Sequence, residues 1–310
     1  MSDSQTQHSA IAENSTVRVR RTRWHRARIL LSRAPLTAWF GMVVVAIYVV
    51  VTLFAPLLAP YGEAEVFSRG DAPWSNEHLL GTDRIGRDVL TRLLYGARNT
   101  VGIALGTTFF AFFLGGSLGL IAAINRSWLD QIISRGVDTI MAIPGLIFAL
   151  MLLAIFGASI LSLILIVGIT YATNFFRLTR SVSLNIVVMD YVEAARLRGE
   201  NMFWIMTREI LPNILPPLIA EFGLRFIFVF LFIASLSFLG MGIQPPTADW
   251  GSMVRENAHW ITFVPFVPFQ DAIFYALKPL LPAGCIALLT IGVNFIVDWF
   301  IHETSGLRDV

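Results

Sequence analysis

The chain has 310 residues, of which 55% are hydrophobic and 14% charged, with a mean hydropathy of +0.68. These values exclude a water-soluble globular domain, because apolar runs long enough to cross roughly 30 Å of hydrocarbon recur along the chain. The net charge of +2 says little by itself, since the charges are segregated by loop.

Enzyme chemistry is equally hard to place. The one cysteine, Cys285, lies in an apolar run, and the five histidines (His8, His25, His78, His259, His302) are scattered without metal-ligand spacing. Lys278 is the only lysine, so there is no Gly-rich loop ending in Gly-Lys-Ser/Thr to bind a nucleotide phosphate. No Ser/His/Asp set or carboxylate pair stands out. The chain reads as a non-enzyme that binds no cofactor and no metal.

In chain order, residues 1–35 form a polar then basic arm, with Arg18, Arg20, Arg21, Arg23, Arg26, Arg28 and Arg33 around Trp24. The apolar run 36–58 is the first expected span, and the positive-inside rule puts the basic arm in the cytoplasm against anionic lipid. It lacks a small-residue cleavage site, and Pro56 and Pro60 close it, which argues against a signal peptide. Residues 59–98 then form an outside loop. Asp83, Arg84, Arg87, Asp88, Arg92 and Arg98 there suit either a solvated loop or a folded segment with internal ion pairs.

The core, 99–301, is expected to hold five further spans. The second covers 99–124, with Gly102/Gly106 and Gly115/Gly119 placing small residues on helix faces for close packing. A polar connector fills 125–138. Span three is 139–157, with Pro144 as a kink, and span four is 160–178, returning Arg177 and Arg180 to the side of the N-terminus. The polar stretch 181–212 follows. Asp190 is its expected N-cap, with Glu193 completing a capping-box-like pair, and Gly199 is the expected bend. A second helical piece, from Met202 to Ile210, ends before Pro212. Such a helix–Gly–helix is either a connector or a peg that docks on a soluble protein.

Span five, 213–240, carries Glu221 and Arg225 in the favourable order for an i,i+4 ion pair. The pair is either a self-neutralised structural contact or a polar rung on a translocation path. Gly240, Gly242, Pro245 and Pro246 end this span, and Trp250 suits an interfacial anchor in the outside loop 241–278. The last span covers 279–301, and 302–310 form a cytoplasmic tail.

Three separated motifs carry a resemblance. Glu193-Ala194-Ala195, three residues, Gly199, then Ile210-Leu211-Pro212 resembles the EAA loop of permease subunits of ATP-driven (ABC) importers. One departure is that Glu209 stands where that pattern has an Ile, and Ile210 abuts Leu211. The segment from Leu80 to Arg98 and the segment from Leu236 to Gly251 both resemble the C-type permease of dipeptide, oligopeptide and nickel importers.

The resemblance, covering about 36–309, implies an all-α integral membrane protein of the bacterial inner membrane. It implies six transmembrane helices in the type I ABC importer permease fold, with both termini cytoplasmic. It implies an importer of di- or oligopeptides, with glutathione or nickel chelates as the alternative cargo. Implied partners are a second related permease, two cytoplasmic ATPases that bind ATP and Mg, and an extracytoplasmic solute-binding protein. Glu193, Ala194, Ala195, Arg198, Gly199, Ile210, Leu211 and Pro212 would couple to the ATPases. An ion-gradient transporter would leave the EAA loop unexplained, and a scaffold that recruits a partner through the cytoplasmic helix would bind the ATPase without substrate flux.

Overall fold

The computed structural model describes residue 32 and residues 34–67, 70–125, 128–263, 265 and 268–304. The chain divides into two units, Met1–Leu36 and Thr37–Val310, and the helices below belong to the second, apart from the first residue of α1. The basic arm up to Leu31 and the Gly306–Asp309 tail lie outside the described residues.

The regular secondary structure of the described residues is helical, with one isolated antiparallel bridge between Thr82 and Asp88. The helices are α1 (Leu36–Leu58), α2 (Val89–Ile124), α3 (Trp128–Met141), α4 (Gly145–Phe156) and α5 (Ile160–Val187). They continue with α6 (Asp190–Leu197), α7 (Met202–Phe238), α8 (Trp250–Asn257), α9 (His259–Phe263) and α10 (Phe269–Thr304). Five are long and apolar enough to cross a membrane, and α3 with α4 makes a sixth if that bent pair counts as one span.

Several boundaries differ from the sequence expectation. Helix α2 starts ten residues before residue 99, because the Asp88 carboxylate caps it by accepting from the Thr91 amide at 2.7 Å. The expected connector 125–138 is largely the helix α3. The third span is broken outright: α3 and α4 meet at 90° across Ala142–Pro144, where Pro144 has no N–H to continue the ladder. Helix α5 runs nine residues past its expected end.

Pro212 does not separate α6's neighbour from span five. Helix α7 is continuous from Met202, with a π-helical turn at Ile205–Ile210 and Pro212, Pro216 and Pro217 within it. Each of these prolines lacks the N–H that would continue the helical ladder, and the helix runs on through them. Helix α10 begins at Phe269, so Pro279 and Pro282 lie inside it and the expected outside loop 241–278 is much shorter.

Packing follows the small residues. A Cβ added at Gly115 would stand 2.7 Å from the Phe175 Cβ, and one at Gly119 would stand 2.8 Å from the Thr179 Cβ, so α2 and α5 cross backbone to backbone there. Gly102 and Gly106, expected to serve the same purpose, meet no atom within 4 Å. Trp250 is not an interfacial anchor: it is 1% exposed. It packs edge-on against Tyr48 and Phe230, and its indole N–H donates to the Leu93 carbonyl at 3.0 Å. The core around it includes Leu153, Leu163, Val229, Ile233 and Leu236.

Candidate functional site

At the α8 end of the molecule, the charged loop is a folded ion-pair network. Asp83 accepts from the amides of Ile85 (3.0 Å) and Arg87 (2.9 Å), from Arg87 Nε (2.7 Å) and from Arg92 Nη1 (2.6 Å). Glu256 of α8 accepts from Arg87 Nη2 (3.0 Å) and Arg92 Nη1 (2.7 Å). Burial pushes the Asp83 carboxyl upward, but the Arg87 amide and the Arg92 and Arg87 guanidiniums prevail and hold it below the ordinary 3.8. Gly81 and Gly86, at φ +73° and +90°, supply the turns that wrap the loop around this carboxylate. Nearby, Lys278 pairs with Asp71 at 2.7 Å and sits over the Phe274 ring at 4.7 Å. Glu256 was not singled out from sequence, and Lys278 was noted only as the one lysine, not as an ion-pair partner. Only their separation of more than a hundred residues from their partners hides them.

The α6 end lies at the opposite end of α2, which is about 54 Å long at 1.5 Å per residue. Helix α6 is not capped by Asp190: Met189 holds the N-cap position without a side-chain bond, and Asp190 is the first helical residue. Asp190 and Glu193 instead place negative charge on the first turn, which suits the helix dipole. Val192 and Ala195 point inward onto Val187, Ile205, Ile210 and Ile214, burying one face of the short helix. Glu193, Ala194, Arg196, Leu197 and Arg198 form the exposed face, with Leu197 83% exposed.

Gly199 bends the chain as expected, at φ +81°. Its amide donates to the Arg196 carbonyl (3.0 Å) and the Glu200 amide to the Ala195 carbonyl (3.2 Å), the bonding of a Schellman motif. Asn201 then caps the next helix by accepting from the Trp204 amide at 2.8 Å. Arg198 reaches across the turn to Glu209 (3.9 Å) and lies 6.0 Å from the Trp204 ring centre.

The structure therefore divides the sequence-selected residues. Glu193, Ala194, Arg198 and Gly199 are exposed, as is Pro212, while Ala195 and Ile210 are buried and Leu211 is half-buried. Ala195 cannot serve as a contact for a partner; it fixes α6 to α7. The π-helical turn Ile205–Ile210 was not foreseen. A π turn takes up one extra residue within an α-helix, and it falls where Glu209 and Ile210 depart from the EAA pattern. Beside α6, a groove of about 630 Å³ is lined by Ile124, Val187, Val188, Glu193, Arg196 and Leu197.

Glu221 and Arg225 do form the expected ion pair, Arg225 Nε to Glu221 Oε1, on the apolar stretch of α7. Among the described residues no cluster of three His, Cys, Asp or Glu side chains could hold a metal.

Apolar spans crossing at glycines, with a short polar helix held out between two of them, define a multi-pass helical membrane protein. Residues 115–302 match the family described as the inner membrane component of binding-protein-dependent transport systems. Residues 22–76 match the N-terminal transmembrane domain of oligopeptide transport permease C. The chain is 40% identical over 238 residues to the dipeptide transport system permease protein DppC of Escherichia coli K12, covering 73% of this chain and 79% of that protein. It is 33% identical over 288 residues to DppC of Alkalihalophilus pseudofirmus, covering 92% and 88%. It is 32% identical over 267 residues to the glutathione transport system permease protein GsiD of Pectobacterium atrosepticum, covering 86% and 83%. Its fold is similar to the inward-facing MetNI methionine ABC transporter, with a TM-score of 0.50 and 19% identity, covering 68% of this chain and 97% of that one.

The chain belongs to the family of inner membrane components of binding-protein-dependent transport systems. It is an ABC importer permease of the bacterial inner membrane, a multi-pass protein and not an enzyme.

Proposed function

We propose that this chain is one permease half of an ATP-driven importer of di- or oligopeptides. The similarity to dipeptide permeases over as much as 92% of its length supports that cargo. Similarity to a glutathione permease supports γ-linked peptides as the second reading. In this reading the chain pairs with a related permease, two cytoplasmic ATPases that carry ATP and Mg, and an extracytoplasmic solute-binding protein. Both termini and α6 lie in the cytoplasm.

One observation carries the coupling role: α6 is anchored inward by Val192 and Ala195 and presents Glu193, Ala194, Arg196 and Leu197 outward. Leu197, apolar and 83% exposed beside these polar groups, is free to enter a partner pocket. The Schellman turn at Gly199 and the packing on Ile205, Ile210 and Leu211 transmit a push on α6 directly to the base of α7. ATP binding closes the ATPases, α6 moves with them, and α7 carries the motion to Glu221 and Arg225 on the translocation path.

The experiment is uptake of labelled dipeptide, longer peptide and glutathione by cells with and without this chain, under normal and ATP-depleted conditions. Loss of peptide uptake in the deletion, together with dependence on ATP, is the expected result. Uptake that follows the proton gradient instead would overturn the coupling role of α6.

A further inference from the structure

We infer that Glu221 and Arg225 form a zwitterion-reading rung that touches the charged termini of the peptide during passage. The inference rests on the permease reading and adds a ligand chemistry to it.

The pair sits near the middle of the apolar stretch Leu211–Phe238, where a charged side chain facing hydrocarbon is costly. It is nevertheless not enclosed: the Arg225 side chain is 26% exposed and that of Glu221 14%. Its surroundings are aromatic, with polar groups of α5 beside them. Arg225 lies 5.6 Å from the Phe228 ring centre, and the Tyr171 hydroxyl reaches the Phe228 carbonyl at 3.3 Å. Tyr171 stacks edge-on against Phe232 and shares with it a groove of about 320 Å³ that also takes in Thr170 and Asn174. Positions 221, 225, 228 and 232 recur at helical spacing, so one face of α7 carries the ion pair followed by two phenylalanine rings, with Thr170, Tyr171 and Asn174 of α5 supplying polar groups alongside Phe232. By contrast, the cavity between α1, α2, α7 and α10, lined by Val45, Val101, Phe226 and Val293, is apolar and suits hydrocarbon.

The bonding of the pair leaves it half-used. Only Arg225 Nε and Glu221 Oε1 are engaged with each other. Among the described residues, Arg225 Nη1 and Nη2 and Glu221 Oε2 have no hydrogen bond. Two parallel guanidinium N–H groups match a carboxylate bidentately, and a free carboxylate oxygen beside them accepts from an ammonium. A ligand carrying both an α-carboxylate and an α-ammonium meets both needs with no net charge brought into the membrane. A simple anion or cation would leave one partner uncompensated.

The test uses the assembled importer in membrane vesicles, with Cys285→Ser and Phe228→Cys in this chain. A water-soluble thiol reagent should label the cysteine at 228. Alanyl-alanine should slow the labelling, while N-acetyl-alanyl-alanine amide should not. Adding R225Q or E221Q should raise the alanyl-alanine concentration needed for protection roughly tenfold, the loss expected for a charge-assisted hydrogen bond. Absence of labelling would mean that this face is sealed against the second permease or lipid, and would overturn the inference. Equal protection by free and capped dipeptide, no protection by either, or protection unchanged in R225Q and E221Q would overturn it too. ATP-dependent uptake by the parent importer in the same vesicles reports on the permease reading separately.

Discussion

Arg92 Nη1 donates at once to Asp83 Oδ2 at 2.6 Å and to Glu256 Oε2 at 2.7 Å, joining two segments 164 residues apart in sequence. Arg92 is 1% exposed, so the joint holds the loop before α2 against α8 in a protected place. Removing the cation leaves two carboxylates facing each other with only Arg87 between them. Arg92→Met should therefore cost about 3 kcal/mol, the range for breaking a buried pair by deleting one partner. The check is thermal aggregation of detergent-solubilised protein, and an unchanged midpoint would remove the network from the stability account.

The same network sets a pH response. Asp83 titrates below its ordinary 3.8, so its contribution is complete above that value and is lost as pH falls through the folded-state value. Asp249, the N-cap of α8, behaves oppositely: burial pushes its carboxyl up against the pull of Ser252, Ser237 and Arg92. Its charge therefore weakens the fold as pH rises from 3.8 through its raised value. Asp249→Asn should match the parent at low pH and be the more stable of the two at neutral pH, because Asn keeps an oxygen to accept from the Ser252 amide. Melting of both proteins from acid to neutral pH measures the difference, and a parent that is the more stable at neutral pH contradicts it.

Gly199 is held at φ +81° with no atom within 4 Å of an added Cβ, so the obstacle to a side chain is backbone conformation and not space. Gly199→Val should strain or unwind the turn between α6 and α7 while leaving the spans intact. The expected outcome is loss of transport with near-normal amounts of protein in the membrane. Uptake and membrane abundance are measured together, and normal uptake would sink the coupling role of the turn.

Gly115 faces the opposite constraint, a lack of room. A leucine there would be driven into the Phe175 side chain and the Phe176 backbone amide, 2.7 and 2.9 Å from the first added atom. Neither can yield without moving α5. Gly115→Leu should cost about 3 kcal/mol through overpacking, whereas Gly102→Leu should cost far less. Comparing the two variants in one melting series separates close packing from the general effect of a glycine substitution.

Periodicity and hydropathy in the sequence were enough for the membrane class, because crossing a bilayer demands long apolar runs whatever the neighbours are. The run 36–58 appears as α1 with the same limits, and the i,i+4 spacing of Glu221 and Arg225 yields the pair because both sit on one helix. Gly199 was legible as a bend for a similarly local reason. The tertiary structure alone decided the rest. It turned Ala195 inward and Ala194 outward, since that choice depends on where Ile205 and Ile210 pack. It moved Trp250 from a supposed surface position into the core between Tyr48 and Phe230, residues it meets only once the chain has folded back. It carried α7 through Pro212, Pro216 and Pro217 and broke the third span at Pro144, although both stretches contain the same helix-breaking residue. A proline in a helix interior costs one hydrogen bond and one steric clash, but the surrounding packing determines whether the chain bends around that loss or stops.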